Sequence, residues 1–439
     1  MIDKPKNIIV KIGITPSEAP FRITCLRTFL YINAIAENNA FKGGKSKVIF
    51  QIDDTNITKR KHSNEEIIDF YKQIGILPFK YSEVEITCQT DLKDECEKYF
   101  KVLDDKGFII HNGDGTRAFN INKYIEVYGS TIEVKDPIMG NINFDAKNLT
   151  DNGKILIRRS DDSFLYNFSS AIDIIHWKFT TLIRGNNKMS SAAFQNMFIN
   201  SLNEETPDYF HLPLLLEEKK ENEFGVNARS SIKDLFKNGF SYMPVLNYIL
   251  GTGYGDQTDH YNSLEEFNEI FEIEKLHKTN SYFDFNIMKK QCNRFFQQNM
   301  TYEEYYSQLL RHIELMEWDE NMLKYSNIGY AHRLSPQKIY QLYTQLSVPH
   351  FDEISDENTK NKILAIIESL IIDYQGTINT LLSDKNSKKE NLKLVKYILS
   401  GYFNGLTCDV YKNCYSEEEY QNRLRLVKEH ISKEELKWK

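Results

Sequence analysis

Arg22, Ile23, Thr24 and Cys25, which read "RITC", stand where a β-branched run, "NIIVKIGI" at 7–14, passes through a loop into a helical stretch. A strand–loop–helix start leaves backbone N–H groups pointing outward and suits phosphate. Such cradles favour glycine for close backbone approach, yet all four residues here carry a Cβ. Arg22 brings a positive charge, and the helix dipole adds to it, so the segment reads as an anion cradle that has been rewritten. Cys25 at a helix start is a candidate for a lowered thiol pKa, although no histidine partner is identifiable. Asp53 and Asp54, in "FQIDDTN" at 50–56, form a carboxylate pair able to meet a cation. "KMSS" at 188–191 places Lys188 before two serines, Ser190 and Ser191, which read as helix caps. "GTGYG" at 251–255 looks like a nucleotide loop but follows a helix rather than a strand, so it reads as a chain turn. His176 and Trp177 fall in a strand-like stretch and read as packing.

Two β-branched runs, 7–14 and "VIFQI" at 48–52, suit buried parallel strands. Between them Leu26, Phe29, Leu30, Ile32 and Ile35 fall on one helical face, which predicts a βαβ unit. "NEEIIDFYKQIG" at 64–75 predicts the next helix, stopped by Gly75. Residues 88–150 break this rhythm: the helix "LKDECEKYFKVLDDKG" precedes short alternating strands such as "YIEVYGSTIEVKD" and "GNINFD", which suggests an inserted α+β module. The α/β rhythm returns with "KILIRR", "DIIHWKFTTLIRG", the helix "SAAFQNMFINSL" and "YFHLPLLLE". After about residue 256 helices are expected alone, and a second helical segment starts near 330.

The chain has 439 residues, too many for one ordinary core, so several domains are expected. Hydrophobic residues at 41% and charged residues at 27% are ordinary for a globular protein. No run approaches the roughly 18 apolar residues of a membrane span, and the N-terminus lacks a secretory leader. Six cysteines without a CxxC pair argue against a zinc ribbon or disulfide framework and for a reduced, cytoplasmic location. A net charge of −7 lowers the prior for sequence-independent nucleic-acid binding without excluding a local basic face.

Four collinear blocks resemble the bacterial type of glutamyl-tRNA synthetase, a class I synthetase. They are "LRTFLYINAIA" with "FQIDDTN" and "YKQIGI"; "ILIRRSDDSFLYNFSSAIDIIHWKFTTLIRGNNKMSS"; "HLPLLL" with "SSIKDLFKNGFSYMPVLNYILGTGY"; and "SLEEFNEIFEIEKLHKTNSYFDFNIMKKQCNRFF". A weaker echo lies at 394–428. The resemblance implies an α/β Rossmann-like class I catalytic core with an α+β insertion, followed by all-α stem-contact and helical-bundle domains. The implied division is catalytic first half 1–87, acceptor-arm-binding-like insert 88–150, catalytic second half 151–255, stem-contact-like region 256–330 and a shortened anticodon-binding-like region 331–439.

In that family two signatures manage ATP. The HIGH signature falls here on "RITC", with Arg22 in place of its first histidine. The lysine-rich KMSKS loop falls on residues 222–226, "NEFGV", without a lysine. The degenerate nucleotide site would then comprise Arg22, Thr24, Cys25, Lys188 and Lys220. The resemblance also implies an amino-acid pocket: Arg184 for a substrate carboxylate, Tyr166 beside it, and Asp53 for the α-amino group. A second substrate arginine falls on Ile12, with Lys11 next to it; the alternative for Arg184 is a buried ion pair with Asp53 or Asp54. Lys289, Lys290, Arg294 and Arg311 are candidate tRNA contacts. The expectation is a synthetase-like protein that binds tRNA(Glu), glutamyl-tRNA or a glutamate-like ligand without efficient activation, with no metal, DNA or membrane partner. One alternative is an active ligase using ATP and Mg²⁺, with Arg22 and Lys219 or Lys220 replacing the lost groups; the other is an interaction subunit with a protein partner.

Overall fold

The computed structural model describes residues 6–17, 21–55, 60–217, 228–255, 261–297, 300–347, 354, 356–383 and 387–436. The chain forms two compact units, Met1–Asp234 with Met243–Met288, and Leu235–Tyr242 with Lys289–Lys439.

The first unit is built on a five-stranded parallel sheet. Its strands are β1 (Asn7–Ile14), β2 (Lys45–Ile52), β3 (Glu83–Cys88), β9 (Thr181–Gly185) and β10 (Asp208–Leu212), in the order β10-β9-β1-β2-β3. β1 and β2 run in register from Asn7 opposite Lys45 to Ile14 opposite Ile52. The connecting helix α1 (Ile23–Phe41) buries most of its length, including Leu26, Phe29, Leu30 and Ile32. The βαβ unit therefore forms as its apolar spacing demands. Helix α2 (Asn64–Gln73) starts at Ser63, whose side chain accepts from Glu66 N, and ends before Gly75 at a φ of 72°. The strand order reverses direction at the β1–β9 junction, the place where open α/β sheets hold ligands.

Between β3 and β9 lie α3 (Lys93–Asp105), α4 (Ile121–Tyr128) and α5 (Tyr166–Trp177), with a three-stranded antiparallel sheet of β4 (Ile109–His111), β5 (Arg117–Asn120) and β8 (Lys154–Arg158). A separate pair joins β6 (Thr131–Val134) to β7 (Ile142–Asp145). Two sequence expectations change here. "YIEVY" is the end of α4 rather than a strand, since Asn120 caps it through Lys123 N and Ile121 and Tyr124 bury on one face. "KILIRR" contributes β8 to the small sheet beside β5, not to the main sheet. The small sheet shares its core with α5 and α6 (Met189–Ser201): Phe119 packs edge-on against Phe198 at 4.9 Å, and Phe198 against Phe168 at 5.8 Å.

The first unit continues through β11 (Leu215–Glu217), α7 (Ile232–Lys237), which crosses into the second unit, α8 (Tyr242–Gly251) and α9 (Leu264–Ile270). β12 (Ser281–Phe283) pairs parallel with β11, so strands do not stop at residue 256 as expected. "GTGYG" follows α8 as a turn, in line with the sequence reading. The second unit is helical: α10 (Phe285–Phe295, from Lys289 onward), α11 (Tyr302–Met316), α12 (Ser326–Ala331), α13 (Pro336–Ser347), α14 (Glu357–Ile372), α15 (Tyr374–Ser383), α16 (Lys388–Ser400), α17 (Cys408–Lys412) and α18 (Glu417–Leu436). Among the described residues no helix is long and apolar enough to cross a membrane.

Candidate functional site

Strand alternation buries Ile8, Val10, Ile12 and Ile14 and turns Lys11 and Gly13 to the other side of β1. That side borders a cavity of about 630 Å³, lined also by Arg22, Thr24, Cys25, Asp53, Tyr166, Arg184 and Lys188. Residues from three separate sequence blocks thus meet at one place. Ile12, where the family register puts a substrate arginine, is fully buried away from the cavity; Lys11 is the basic residue that faces it.

Lys11 is held tightly. Its Nζ lies 2.9 Å from Asp53 Oδ1 and 2.9 Å from Asp173 Oδ2. Gln51 Nε2 donates to the same two oxygens, at 3.3 Å to Asp53 and 2.9 Å to Asp173. Gln89 Nε2 donates to Asp173 Oδ2 at 2.8 Å. Burial alone would lower the Lys11 ammonium, but Asp173 and Asp53 raise it above its ordinary range. Asp53 also shifts up, chiefly through burial, with Lys11 opposing and Asp173 adding to the rise. One ammonium shared between two buried carboxylates accounts for both directions. Asp54 turns away and accepts from Thr90 N at 3.0 Å and Thr90 Oγ1 at 2.9 Å, so the aspartate pair diverges instead of converging on a cation.

Arg184, at the end of β9, does not pair with Asp53 or Asp54. Its Nη1 donates to Gln195 Oε1 on α6 at 2.9 Å, and its guanidinium carbon lies 4.7 Å from the Tyr209 ring centre. Its Nε and Nη2, one edge of the guanidinium fork, are buried without a hydrogen-bond partner. Such an edge is costly unless an acceptor arrives, and a carboxylate matches both donors. Across the cavity Lys188 Nζ lies 5.1 Å from the ring centre of the exposed Tyr166.

The cradle itself begins with Arg22 as the N-cap of α1, in extended conformation and without a side-chain cap. Its donors are taken by the chain: Ile23 N donates to Ser230 O at 3.1 Å and Thr24 N to Ala228 O at 3.3 Å. Cys25 N and Leu26 N both donate to Arg22 O at 3.0 Å. Burial raises the Cys25 thiol despite Arg22, the reverse of the shift expected for a helix start.

Ser190 and Ser191 lie within α6 and do not cap it; the cap position is Lys188, where a preceding 3₁₀ turn runs into the helix. His176 sits exposed in the last turn of α5, not in a strand. Residues 222–226 and the lysines at 219 and 220, including Lys220, lie outside the described residues. In the second unit Lys289, Lys290 and Arg294 follow one another along α10, and Arg311 on α11 lies 4.2 Å from the Tyr242 ring centre. Asp173, Gln51, Gln89 and Gln195 were not among the residues that spacing or motif singled out. Only an unexplained aspartate inside the apolar run "SSAIDIIHW" could have drawn attention to Asp173.

Residues 121–290 match the family model for class I tRNA synthetases (E and Q), catalytic domain. A glutamate–tRNA ligase from Petrotoga mobilis is 25% identical over 301 residues, covering 63% of this chain and 62% of that ligase. One from Buchnera aphidicola is 28% identical over 307 residues, covering 63% and 64%. The chain thus spans less than two thirds of the length of these relatives. A glutamate tRNA ligase from Elizabethkingia meningosepticum, solved in complex with its amino acid, shares the fold with a TM-score of 0.67 at 17% identity, over 97% of this chain and 99% of that one.

Proposed function

We propose that this chain, which belongs to the glutamyl-tRNA synthetase family of class I enzymes, binds a glutamate-like carboxylate in the cavity at the β1–β9 junction without efficiently activating it with ATP. The observation that carries this reading is the state of the first turn of α1. Its Ile23 and Thr24 amides are bonded to Ser230 and Ala228 carbonyls, so they are not offered to a phosphate. No glycine stands there to let a triphosphate approach the backbone. Arg184 supports the carboxylate half of the reading, because its unpaired edge wants a planar two-oxygen acceptor. In the same reading Tyr166 bounds the ligand and the basic face of α10 meets a tRNA backbone.

The deciding measurement is glutamate-dependent ATP–pyrophosphate exchange, with and without tRNA(Glu). Exchange no higher than a no-enzyme control is expected, and robust exchange overturns the reading. Arg22 in the cavity wall favours the competing reading of a working ligase. If exchange is found, Arg22→Ala should abolish it. Binding of tRNA is tested by a gel shift across a salt series, since phosphate contacts release counterions and lose affinity steeply with salt.

A further inference from the structure

Arg184 lines the cavity, yet among the described residues no carboxylate pairs with it. What holds its guanidinium is neutral. Gln195 Oε1 accepts from Nη1 at 2.9 Å, and the Tyr209 ring centre lies 4.7 Å from the guanidinium carbon. Gln195 is fully buried on α6 and does not itself line the cavity. The next residue, Asn196, secures the other support. Tyr209 Oη donates to Asn196 Oδ1 at 2.7 Å, and Asn196 Nδ2 donates to Glu133 O at 2.8 Å. Two consecutive residues of α6 thus fix the guanidinium, one directly and one through the tyrosine. The Gln195 amide can stand only one way round, because a guanidinium donates and never accepts. Its Nε2 is left buried without a partner. A glutamate side chain has nearly the same shape and would accept the same hydrogen bond more strongly. Neutrality at 195 leaves the positive charge of Arg184 unspent.

We propose that Gln195 is a positioning residue for the carboxylate: it aims the guanidinium of Arg184 and, by carrying no charge itself, reserves that charge for the ligand. The inference rests on the carboxylate reading above. A largely buried guanidinium without a counter-ion is costly until an anion arrives, so the ligand supplies what the protein withholds. With Nη1 fixed on Gln195, the edge formed by Nε and Nη2 is the one left for two carboxylate oxygens. A glutamate at 195 would close an internal ion pair instead. The incoming carboxylate would then meet a neutralised guanidinium with a like charge behind it.

The test is calorimetric titration of the full chain at pH 7.5 with L-glutamate and with its diamide, in which both carboxylates are neutral amides. The wild type should bind L-glutamate at least about tenfold more tightly than the diamide. Gln195→Glu keeps the acceptor for Nη1 and adds a negative charge. Its melting temperature should not fall, while its affinity for L-glutamate drops at least about tenfold and its affinity for the diamide changes little. Gln195→Met removes the acceptor without adding charge. With its folding checked by circular dichroism, it should bind L-glutamate at least about threefold more weakly and still prefer it to the diamide. A purely structural role would make both variants melt lower and weaken both compounds by one factor, and that outcome overturns the inference. So does equal binding of the two compounds by the wild type, or a folded Gln195→Glu protein that binds L-glutamate as the wild type does. Should Gln195→Glu fail to fold, unchanged affinity in Gln195→Met overturns it as well. The underlying carboxylate reading fails separately, and takes this inference with it, if the wild type binds neither compound or if Arg184→Gln leaves L-glutamate binding unchanged.

Discussion

At the scale of single residues, the candidate site is a matter of which charges are already matched. Lys11 and Arg184 border one cavity, but the first is held between two carboxylates while the second keeps an unfilled edge. Removing one partner from a buried ion pair strands the other, which costs about 3–5 kcal/mol. Asp173→Ala should therefore lower stability by about 3 kcal/mol in urea titrations, even though Asp173 sits within a helix behind the cavity. A loss below the error of the titration would mean that Asp53 alone satisfies Lys11. Gly13→Ala tests the close packing directly. Its Cβ would stand 2.9 Å from Asp53 Oδ2 and Lys11 Cε, so a side chain must move, at a cost of about 1–3 kcal/mol. Arg184, Tyr166 and Asp53 could be picked out from the sequence because their neighbours form recognisable blocks. Asp173 could not be, because its partner Lys11 lies 162 positions away and nothing in its own helix marks it.

At the scale of elements, apolar periodicity was informative wherever an element is buried on a regular stripe. β1, α1, β2 and α2 follow their patterns closely, and α2 stops just before Gly75, as its sequence signals. One misreading has a simple cause: period-two and helical spacing cannot be told apart in five or six residues. "YIEVY" alternates, yet it forms the last turns of α4 because Asn120 caps the helix and Tyr124 buries on its inner face. "KMSS" misled differently, since a 3₁₀ turn ahead of α6 moves the serines inside the helix. The insert also proves less separable than a module read from 88 to 150 suggests. Its Phe119 contacts Phe198 of α6, which in turn contacts Phe168 of α5. Phe198→Ala should cost about 3–5 kcal/mol. In hydrogen exchange, β5, β8 and α6 should lose protection together. Loss confined to α6 would show the small sheet to be an independent unit after all.

At the scale of the whole molecule, the two units should differ in their response to acid, and the difference traces to one side chain of the helical unit. His312 on α11 is fully buried, its ring lies 5.0 Å from the Trp318 ring, and neither ring nitrogen has a hydrogen-bond partner. Burial alone lowers its pKa from 6.5 to about 4. An unfolded chain therefore holds a proton on this histidine between pH 6.5 and 4, while the folded chain does not. Stability rises with pH wherever the unfolded state binds more protons, so the helical unit weakens as pH falls through that window. The full loss is about 3 kcal/mol, enough to separate the unfolding of the two units. Nothing in "LLRHIELMEW" announces this, since an exposed histidine at that position would look the same on the page. His312→Phe keeps a ring against Trp318 and removes the titration. Thermal unfolding at pH 7, 6, 5 and 4.5 should show a falling transition for the helical unit in the wild type and a nearly level one in the variant. Parallel slopes in the two proteins would place the acid sensitivity on other groups and leave His312 a passive part of the core.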